Sequence, residues 1–275
     1  MKKLFILCFA MMSASILWGQ NTHTQNLRFS ANGVNFEMIF VEGSTFVMGC
    51  TSEQGACDND ETPTISVNLS DFYIGKYLVT QKLWQAVMGT TIKQQRDLAG
   101  NGLLVGKGDK FPMYYINYEE CEAFCAKLNT LLAKQLPEGY AFCLPTEPQW
   151  EYAARGGTKS KGYRYSGSDD MDEVGWYNGN SGSRTHEVGT KTKNELGIYD
   201  MSGNVWEWCQ DWHRSYGSNS QSNPKDSNPI LFRVLRGGGW NNNASRCRVA
   251  NRGNDYPIHR SGTYGFRLVL STPHE

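Results

Sequence analysis

Cysteine is the residue type in this sequence with the widest choice of chemistry. The chain has eight cysteines, and Cys8 lies in an apolar stretch that we expect to be absent from the mature protein. The other seven are Cys50, Cys57, Cys121, Cys125, Cys143, Cys209 and Cys247. None of them forms a CxxC pair, so their spacing does not indicate a structural zinc site.

In an oxidising compartment, cysteines of this kind are expected to pair as disulfides. The predicted pairs are Cys50–Cys57, which would close a short loop, Cys209–Cys247, and Cys143 with either Cys121 or Cys125. Because seven is an odd number, at least one thiol is expected to stay free unless it bonds to another chain.

A second stretch has the residue types that a hard cation needs. Asp200 and Glu207 place two carboxylates close to Gly203 in a segment that favours turns. Calcium prefers carboxylate and backbone carbonyl oxygens at this density. The alternative is that the two carboxylates only accept hydrogen bonds from backbone N–H groups at turns.

The first twenty residues have the layout of a secretory signal. A basic start at Met1–Lys3 precedes an apolar run over 4–17 and a polar exit from Asn21. The run is shorter than the roughly 20 apolar residues that cross a bilayer as a helix. We therefore predict an exported protein that is periplasmic or extracellular, with association at the cell surface allowed. The alternative is that the apolar run forms a buried first helix of the fold.

Composition favours one loop-rich domain. Lys plus Arg and Asp plus Glu balance at 27 each, which argues against a nucleic-acid partner. The chain carries 29 Gly, 8 Trp, 14 Tyr and 12 Phe, as expected where aromatic side chains hold an irregular backbone. We predict a signal peptide over 1–20, an extension over 21–33 and one α+β domain with few helices and short strands over 34–271.

Local patterns place the elements of this domain. Strands are predicted over 36–41, 43–48, 65–69 and 72–79 from their aromatic and β-branched residues. Helices are predicted after the N-cap residues Thr80, Asn117 and Thr146, and the last two have a capping-box partner three residues on. The segment 90–110 is predicted to be a loop.

Four segments together are too distinctive to be ordinary core. They are Leu144–Gly157 (LPTEPQWEYAARGG), Gly197–Trp208 (GIYDMSGNVWEW), Arg236–Trp240 (RGGGW) and Gly265–Arg267 (GFR). Their order and spacing resemble the formylglycine-generating enzyme family, also called sulfatase-modifying factor domains. The resemblance covers roughly residues 34–271 and implies a single coil-rich domain related to the C-type lectin fold.

The resemblance also implies calcium ligands. The positions that match the family's calcium site are Asp200, Gly203, Val205 and Glu207, the middle two through their carbonyls. A weaker second site is implied at Asn178 and Gly179.

The enzymes of this family oxidise a substrate cysteine with copper(I) held by two thiolates, a geometry that suits soft donors. Counting forward from Gly237, Asn242 stands at the first of the two cysteine positions and Cys247 at the second. Counting back from Arg248, the segment is shorter than in the enzymes and Cys247 falls elsewhere. Either way one thiol is present, so copper is not expected, and Cys247 is a catalytic candidate only if the chain is an oxidase after all.

Two functions remain in competition. The first is a non-catalytic, calcium-stabilised module, a pseudoenzyme that binds an exported protein, peptide or glycan, for example within a secretion or gliding machinery. The second is a copper-dependent oxidase that converts a sulfatase cysteine to formylglycine. The sequence carries no signal for an oligomeric state.

Overall fold

Short helices and strands, separated by long irregular segments, make up residues 24–217 and 219–272, the part of the chain that this computed structural model describes. The helices are α1 (Gln81–Met88), α2 (Ile92–Leu98), α3 (Tyr118–Leu132), α4 (Glu147–Ala154) and α5 (Met171–Val174). The strands are β1 (Leu27–Ala31), β2 (Val34–Val41), β3 (Thr45–Met48), β4 (Ile65–Asn68), β5 (Phe72–Gly75), β6 (Ala141–Cys143), β7 (Trp206–Trp212), β8 (Gln221–Ser222), β9 (Arg233–Arg236), β10 (Arg252–Asp255), β11 (Tyr264–Gly265) and β12 (Val269–Ser271). The predicted α+β class, with few helices and short strands, is confirmed.

The strands form three small sheets. The largest has the order β1-β2-β5-β12-β6, so the last described strand lies between β5 and β6, which come much earlier in the sequence. A second sheet has the order β10-β9-β7-β11, and a third the order β3-β4-β8. Neighbours are antiparallel except in the pairs β11–β7 and β4–β8. This closure by β12 brings the Gly265–Arg267 segment beside β5 and β7.

Strand β1 lies in the segment 21–33 that the sequence assigned to an extension. It pairs with β2 along its whole length, from Leu27 opposite Met38 to Ala31 opposite Val34. Phe29 and Ala31 of this strand are buried in the core. The sheet therefore begins before residue 34, because β1 covers an edge of β2 that would otherwise be open. The predicted signal segment lies outside the described residues.

The helices begin where their caps predict. The side chains of Thr80, Asn117 and Thr146 each accept a hydrogen bond from the N–H three residues on, and Gly89 ends α1 in the left-handed conformation. The predicted loop over 90–110 is wrong in part, since α2 occupies Ile92–Leu98. Its capping box at Thr91 and Gln94 starts the helix, although the segment has few apolar residues.

Aromatic side chains fill the core on both sides of the largest sheet. On one side, Trp84 of α1 stacks on Phe124 of α3, with ring centroids 5.6 Å apart, and Phe266 meets both rings edge-on. On the other side, the fully buried Trp150 of α4 packs between this sheet and β9. The irregular segments from 156 to 205 are fastened to this frame and carry most of the positions that the family resemblance assigns to calcium.

Candidate functional site

The segment that matches the family's copper-binding region follows β9 as a tight glycine turn. Gly237 and Gly238 have φ values of 95° and 72°, which glycine adopts without strain. A Cβ atom on Gly238 would stand 2.6 Å from the sulfur of Cys247, so the turn presses directly on that side chain. The sequence thus uses glycine here to pack the turn against Cys247.

Cys247 is a buried thiol that shares its core cluster with no other cysteine of the described residues. It is fully buried, packs with Tyr165, Met171 and Val174, and has its sulfur 3.9 Å from the carbonyl of Asn243. Burial raises the pKa of the Cys247 thiol to about 12. The side chain is therefore a protonated core residue, and a thiolate ligand would first have to overcome this desolvation.

Asn242 occupies the other position that the forward count matched to a cysteine. Its side-chain oxygen accepts hydrogen bonds from the indole N–H of Trp206, at 2.7 Å, and from the backbone N–H of Gly239, at 2.9 Å. The first bond holds the turn against strand β7, and the second closes the turn itself. This residue has a structural role, and its amide oxygen is a poor donor for copper(I), which prefers sulfur.

The described residues do not fit a copper(I) centre of the two-thiolate kind. One position holds a hydrogen-bonded amide and the other a buried, protonated thiol. We derive no oxidation step through copper for this chain.

One predicted disulfide is confirmed and two are wrong. Cys50 and Cys57 are bonded. Cys209 and Cys247 are both free and sit in different core clusters, since Cys209 belongs to the cluster that contains Trp150 and Cys247 to the cluster of Tyr165 and Met171. Cys143 is also free, with its sulfur 3.9 Å from the hydroxyl of Ser271, so it pairs with neither cysteine of α3.

The expectation of a single leftover thiol is corrected as well. The described residues contain five free cysteines: Cys121, Cys125, Cys143, Cys209 and Cys247. Cys121 and Cys125 turn toward the apolar core from the buried stripe of α3. A parity count treats all thiols as available, whereas these side chains serve as small apolar residues in the core.

The predicted calcium residues lie close together and are buried. The Asp200 carboxylate accepts a hydrogen bond from the N–H of Gly189 at 2.8 Å. Glu207 forms a two-point ion pair with Arg267, with N–O distances of 2.6 and 2.9 Å. One buried guanidinium thus faces two buried carboxylates.

Arg267 is bonded to Glu207, so the negative charge of Asp200 is the one that lacks a bonded cation. Burial raises the pKa of the Asp200 carboxyl to about 6, although the Gly189 N–H and the Arg267 charge both act to lower it. A cation placed against Asp200 would relieve this cost, and each oxygen of Glu207 keeps a lone pair beyond its bond to Arg267. The charge and the oxygen donors of Asp200 therefore suit a calcium ion, whereas both Glu207 oxygens already bind Arg267, and the calcium site stays a prediction.

The backbone between them is curled by three left-handed residues, Asp200, Gly203 and Asn204, with φ values of 57°, 87° and 65°. A Cβ atom on Gly203 would lie 2.4 Å from the carbonyl oxygen of Trp176. Val205 is fully buried just before β7. Glycine is thus required where the segment crosses the chain at Trp176.

The weaker second calcium site is hydrogen-bonded to the segment that matches the family's copper-binding region. The N–H of Asn178 donates to the carbonyl of Asn242, and its side-chain amide donates to the side chain of Asn243 at 2.6 Å. Gly179 packs under the ring of Tyr177. A calcium ion bound by the Asn178 side chain would have to share an amide that already holds this loop, and the site stays a prediction.

The charged residues of the motifs form buried ion pairs that the sequence did not reveal. Glu61 is paired with Arg248, Glu147 with Arg252, Glu151 with Arg236 and Arg155, and Glu207 with Arg267. The four glutamates are almost completely buried. Arg236 also approaches Glu147 to 3.4 Å, which joins two of the pairs into one network.

This network explains the motifs in structural terms. The segment Leu144–Gly157 supplies Glu147 and Glu151, and the segments around β9 and β10 supply their arginines. Burial raises the pKa of Glu147, but Arg252 and Arg236 outweigh it and hold the pKa below its usual value. Glu147 is therefore an ionised structural group. A run of Glu and Arg in otherwise apolar motifs was the available signal, but it does not say which residues meet.

Comparison with known proteins agrees with this architecture. The family model described as "Sulfatase-modifying factor enzyme 1-like domain" matches residues 25–272, so the chain belongs to this family. The chain is 34% identical to a protein named Chaperone protein LppX from Paenibacillus barcinonensis, over 86% of this chain and 90% of the relative. It is 25% identical to the inactive C-alpha-formylglycine-generating enzyme 2 of Bos taurus, over 86% of this chain and 89% of the relative.

A solved structure confirms the fold at similar coverage. Treponema denticola variable protein 1 superposes with a TM-score of 0.75 and 30% identity, over 90% of this chain and 99% of that one. Within the described residues, no helix has the length and apolar character needed to cross a membrane. The family thus contains an enzyme type, an inactive relative and a relative named a chaperone, and membership alone does not assign an activity.

Proposed function

We propose that this protein is an exported, non-catalytic binding module that acts as a chaperone for another exported polypeptide. The observation that carries the proposal lies in the segment that matches the family's copper-binding region. There the thiol of Cys247 is buried and protonated, and Asn242 is hydrogen-bonded to Trp206. The inactive relative and the relative named a chaperone support the same role.

A set of exposed apolar side chains supports a polypeptide as the partner. Leu103 is 81% exposed and Ile258 is 66% exposed. Their loops meet at Tyr115, whose hydroxyl donates to the carbonyl of Leu103 and whose N–H donates to the carbonyl of Ser261. Exposed apolar side chains on adjoining loops favour contact with apolar segments of a partner over contact with a glycan.

Export and calcium are part of the proposal. The basic and apolar N-terminal residues favour export to the periplasm or the cell exterior. Asp200, Gly203, Val205 and Glu207 would hold calcium, which would neutralise buried negative charge and fasten the 200–207 segment to the frame. In this role the ion stabilises the module and takes part in no reaction.

The chaperone role is tested by aggregation. A denatured exported protein is diluted into buffer with or without the purified chain, and light scattering is followed. Equimolar chain is expected to suppress scattering at least about twofold. Leu103→Asp and Ile258→Asp are expected to reduce suppression without lowering the melting temperature. Leu131→Asp serves as the matched control, because Leu131 is 42% exposed near the C-terminal end of α3, whereas the N–H of Tyr118 at the other end of that helix bonds the carbonyl of Pro257. Scattering that is unchanged by the chain contradicts the proposal.

The oxidase alternative is tested separately. The chain is titrated with copper(I) under reducing conditions and then given oxygen and a sulfatase peptide that contains a cysteine. Because reduction exposes the Cys50 and Cys57 thiols, the Cys50→Ser/Cys57→Ser double variant is titrated beside it. We expect no stoichiometric copper in the double variant and no loss of the peptide thiol. Copper binding by the double variant together with peptide oxidation would overturn the non-catalytic role.

A further inference from the structure

The disulfide between Cys50 and Cys57 is placed differently from the other sulfurs of the described chain. Both of its cysteines are partly exposed, in a loop whose tip at Gly55 and Ala56 is exposed. Four of the five free cysteines are buried, and the pKa of the remaining one, Cys143, is raised to about 11 by burial. The Cys50–Cys57 bond, the one disulfide among the described residues, is therefore open to an incoming thiol.

The two sulfurs of this bond are not equivalent. Nη1 of Arg248 lies 3.9 Å from the sulfur of Cys57 and 2.7 Å from an oxygen of Glu61. The Arg248 side chain is only 5% exposed, and its guanidinium is fixed by a bond from Nε to the carbonyl of Ser245. A cationic N–H donor beside a sulfur stabilises the thiolate form.

The neighbouring negative charge does not reverse this difference. The Glu61 carboxylate has an oxygen within 4.8 Å of both sulfurs, so it disfavours a thiolate at either one. The other charged pair nearby, Asp58 with Arg246, is half-exposed and screened by solvent. Arg248 is the charged group that contacts one sulfur, that of Cys57, and it therefore gives the Cys57 thiol a lower pKa than the Cys50 thiol.

The loop is held by contacts that do not depend on the S–S bond. The N–H of Cys50 donates to the carbonyl of Glu61 at 2.9 Å, and Arg155 donates to the hydroxyl of Thr51 at 2.9 Å. Gln54 is buried and accepts a hydrogen bond from the N–H of Ala250. After reduction the two thiols remain close together, which favours closure of the bond again.

We propose that Cys50 and Cys57 form a thiol–disulfide exchange site, a function beyond the binding role. An incoming thiolate attacks the sulfur of Cys50 and forms a mixed disulfide with it. The Cys50–Cys57 bond breaks, and its electron pair leaves on Cys57 as a thiolate next to Arg248. When the attacking molecule is a dithiol, its first sulfur is the one bonded to Cys50 in the mixed disulfide. The second thiolate of the dithiol attacks that first sulfur and releases the Cys50 thiolate. The dithiol is oxidised to a disulfide, and the chain gains two electrons.

The direction of attack is tested on the unaltered full chain. The protein is exposed briefly to reduced glutathione, quenched with acid, and mapped by mass spectrometry. We expect glutathione on Cys50 in at least about tenfold excess over Cys57. In the pre-reduced protein, alkylation at varied pH is expected to give a lower apparent pKa for the Cys57 thiol than for Cys50. Glutathione found mainly on Cys57, equal labelling of the two, or a disulfide that resists millimolar glutathione for hours would overturn the proposal.

Two variants test the part assigned to Arg248. Arg248→Gln is expected to slow reduction of the disulfide by at least about threefold, since a thiol of higher pKa is a poorer leaving group. Arg248→Lys, which keeps the charge, is expected to restore most of the rate. Arg246→Gln is the matched control, because Arg246 pairs with Asp58 and makes no contact with either sulfur, and it is expected to leave the rate unchanged. An equal effect of the Arg246 and Arg248 changes would contradict the assignment.

Discussion

Arg252 and Glu147 meet through two parallel hydrogen bonds, with Nε–Oε1 and Nη2–Oε2 distances of 2.7 and 2.8 Å. The two residues are 105 positions apart in the sequence and both are almost fully buried. Arg252 also donates to the carbonyls of Asp60 and Arg214, so it ties α4 and β10 to two loops. Such a two-point pair has a fixed geometry that a lysine would not reproduce.

This pair gives the first prediction. Glu147→Gln is expected to lower the free energy of unfolding by about 3–5 kcal/mol, because it leaves the buried Arg252 charge without its main partner. Urea unfolding followed by fluorescence measures the change. Lys82→Ala is the matched control: its pair with Asp109 is largely exposed, and its loss is expected to cost at most about 1 kcal/mol. Similar losses of unfolding free energy in the two variants would show that the buried pair stabilises the fold no more than the exposed pair does.

A second prediction concerns the backbone of the 200–207 segment. Gly203→Ala is expected to cost more than about 3 kcal/mol, because alanine is strained at a φ of 87° and its Cβ would stand 2.4 Å from the carbonyl oxygen of Trp176.

Gly197 is the control for that change, since it has the same φ of 87° but no atom within 4 Å of the position that a Cβ would take. Gly197→Ala is therefore expected to cost only the backbone strain of roughly 1–2 kcal/mol. Comparing the denaturant midpoints of the two variants separates the cost of the backbone strain from the cost of the steric clash with Trp176. Equal midpoints would contradict the role of the Trp176 contact.

Much of the secondary structure was predictable because its signals are local. The caps at Thr80, Asn117 and Thr146 each act within three residues, and all three helices begin as expected. Helix α2 was missed because hydrophobic periodicity, the main signal used, is weak in Ile92–Leu98 even though a capping box precedes it.

The pairing of side chains was predictable only where the loop is short. Cys50 and Cys57 are 7 positions apart, and a loop this short leaves the two side chains few other neighbours. Cys209 and Cys247 are farther apart, and their orientation depends on the packing of β7 and of the turn after β9, which the sequence does not display. For the same reason the motifs identified the family but not the contact between Glu61 and Arg248, 187 positions apart.

A third prediction concerns calcium. If calcium binds at Asp200 and Glu207, a chelator is expected to lower the melting temperature of the purified chain by several degrees, since bound ligand stabilises the folded state by mass action. Asp200→Asn removes the uncompensated charge and is expected to abolish the response while leaving the chelated protein at least as stable as the chelated wild type. Calorimetry with and without calcium measures both. A wild-type melting temperature that does not respond to calcium would contradict the calcium part of the proposed function.

The last prediction uses Asp211, a buried carboxyl that accepts hydrogen bonds from the N–H groups of Glu147 and Asp226 at 2.5 and 2.8 Å. Burial, and then the nearby charge of Glu147, raise its pKa to about 7. The folded state therefore binds this proton more tightly than the unfolded chain, whose carboxyl has the ordinary value of 3.8. By linkage, the contribution of Asp211 to stability falls as the pH rises from about 4 to about 7, by at most about 1.4 kcal/mol per pH unit.

Asp211→Asn tests this sign. An amide keeps one oxygen for the two N–H donors, so the variant is expected to be less stable at pH 4, but its stability is expected to lack the downward slope toward pH 7. The difference between wild type and variant at each pH isolates the carboxyl from other titrating groups, and urea unfolding at intervals from pH 4 to 8 measures it. Asp226→Asn, whose carboxylate is partly exposed beside Arg214, is the matched control and is expected to keep the wild-type slope. A difference curve that is flat or rises with pH would mean that Asp211 is charged in the folded protein throughout this range.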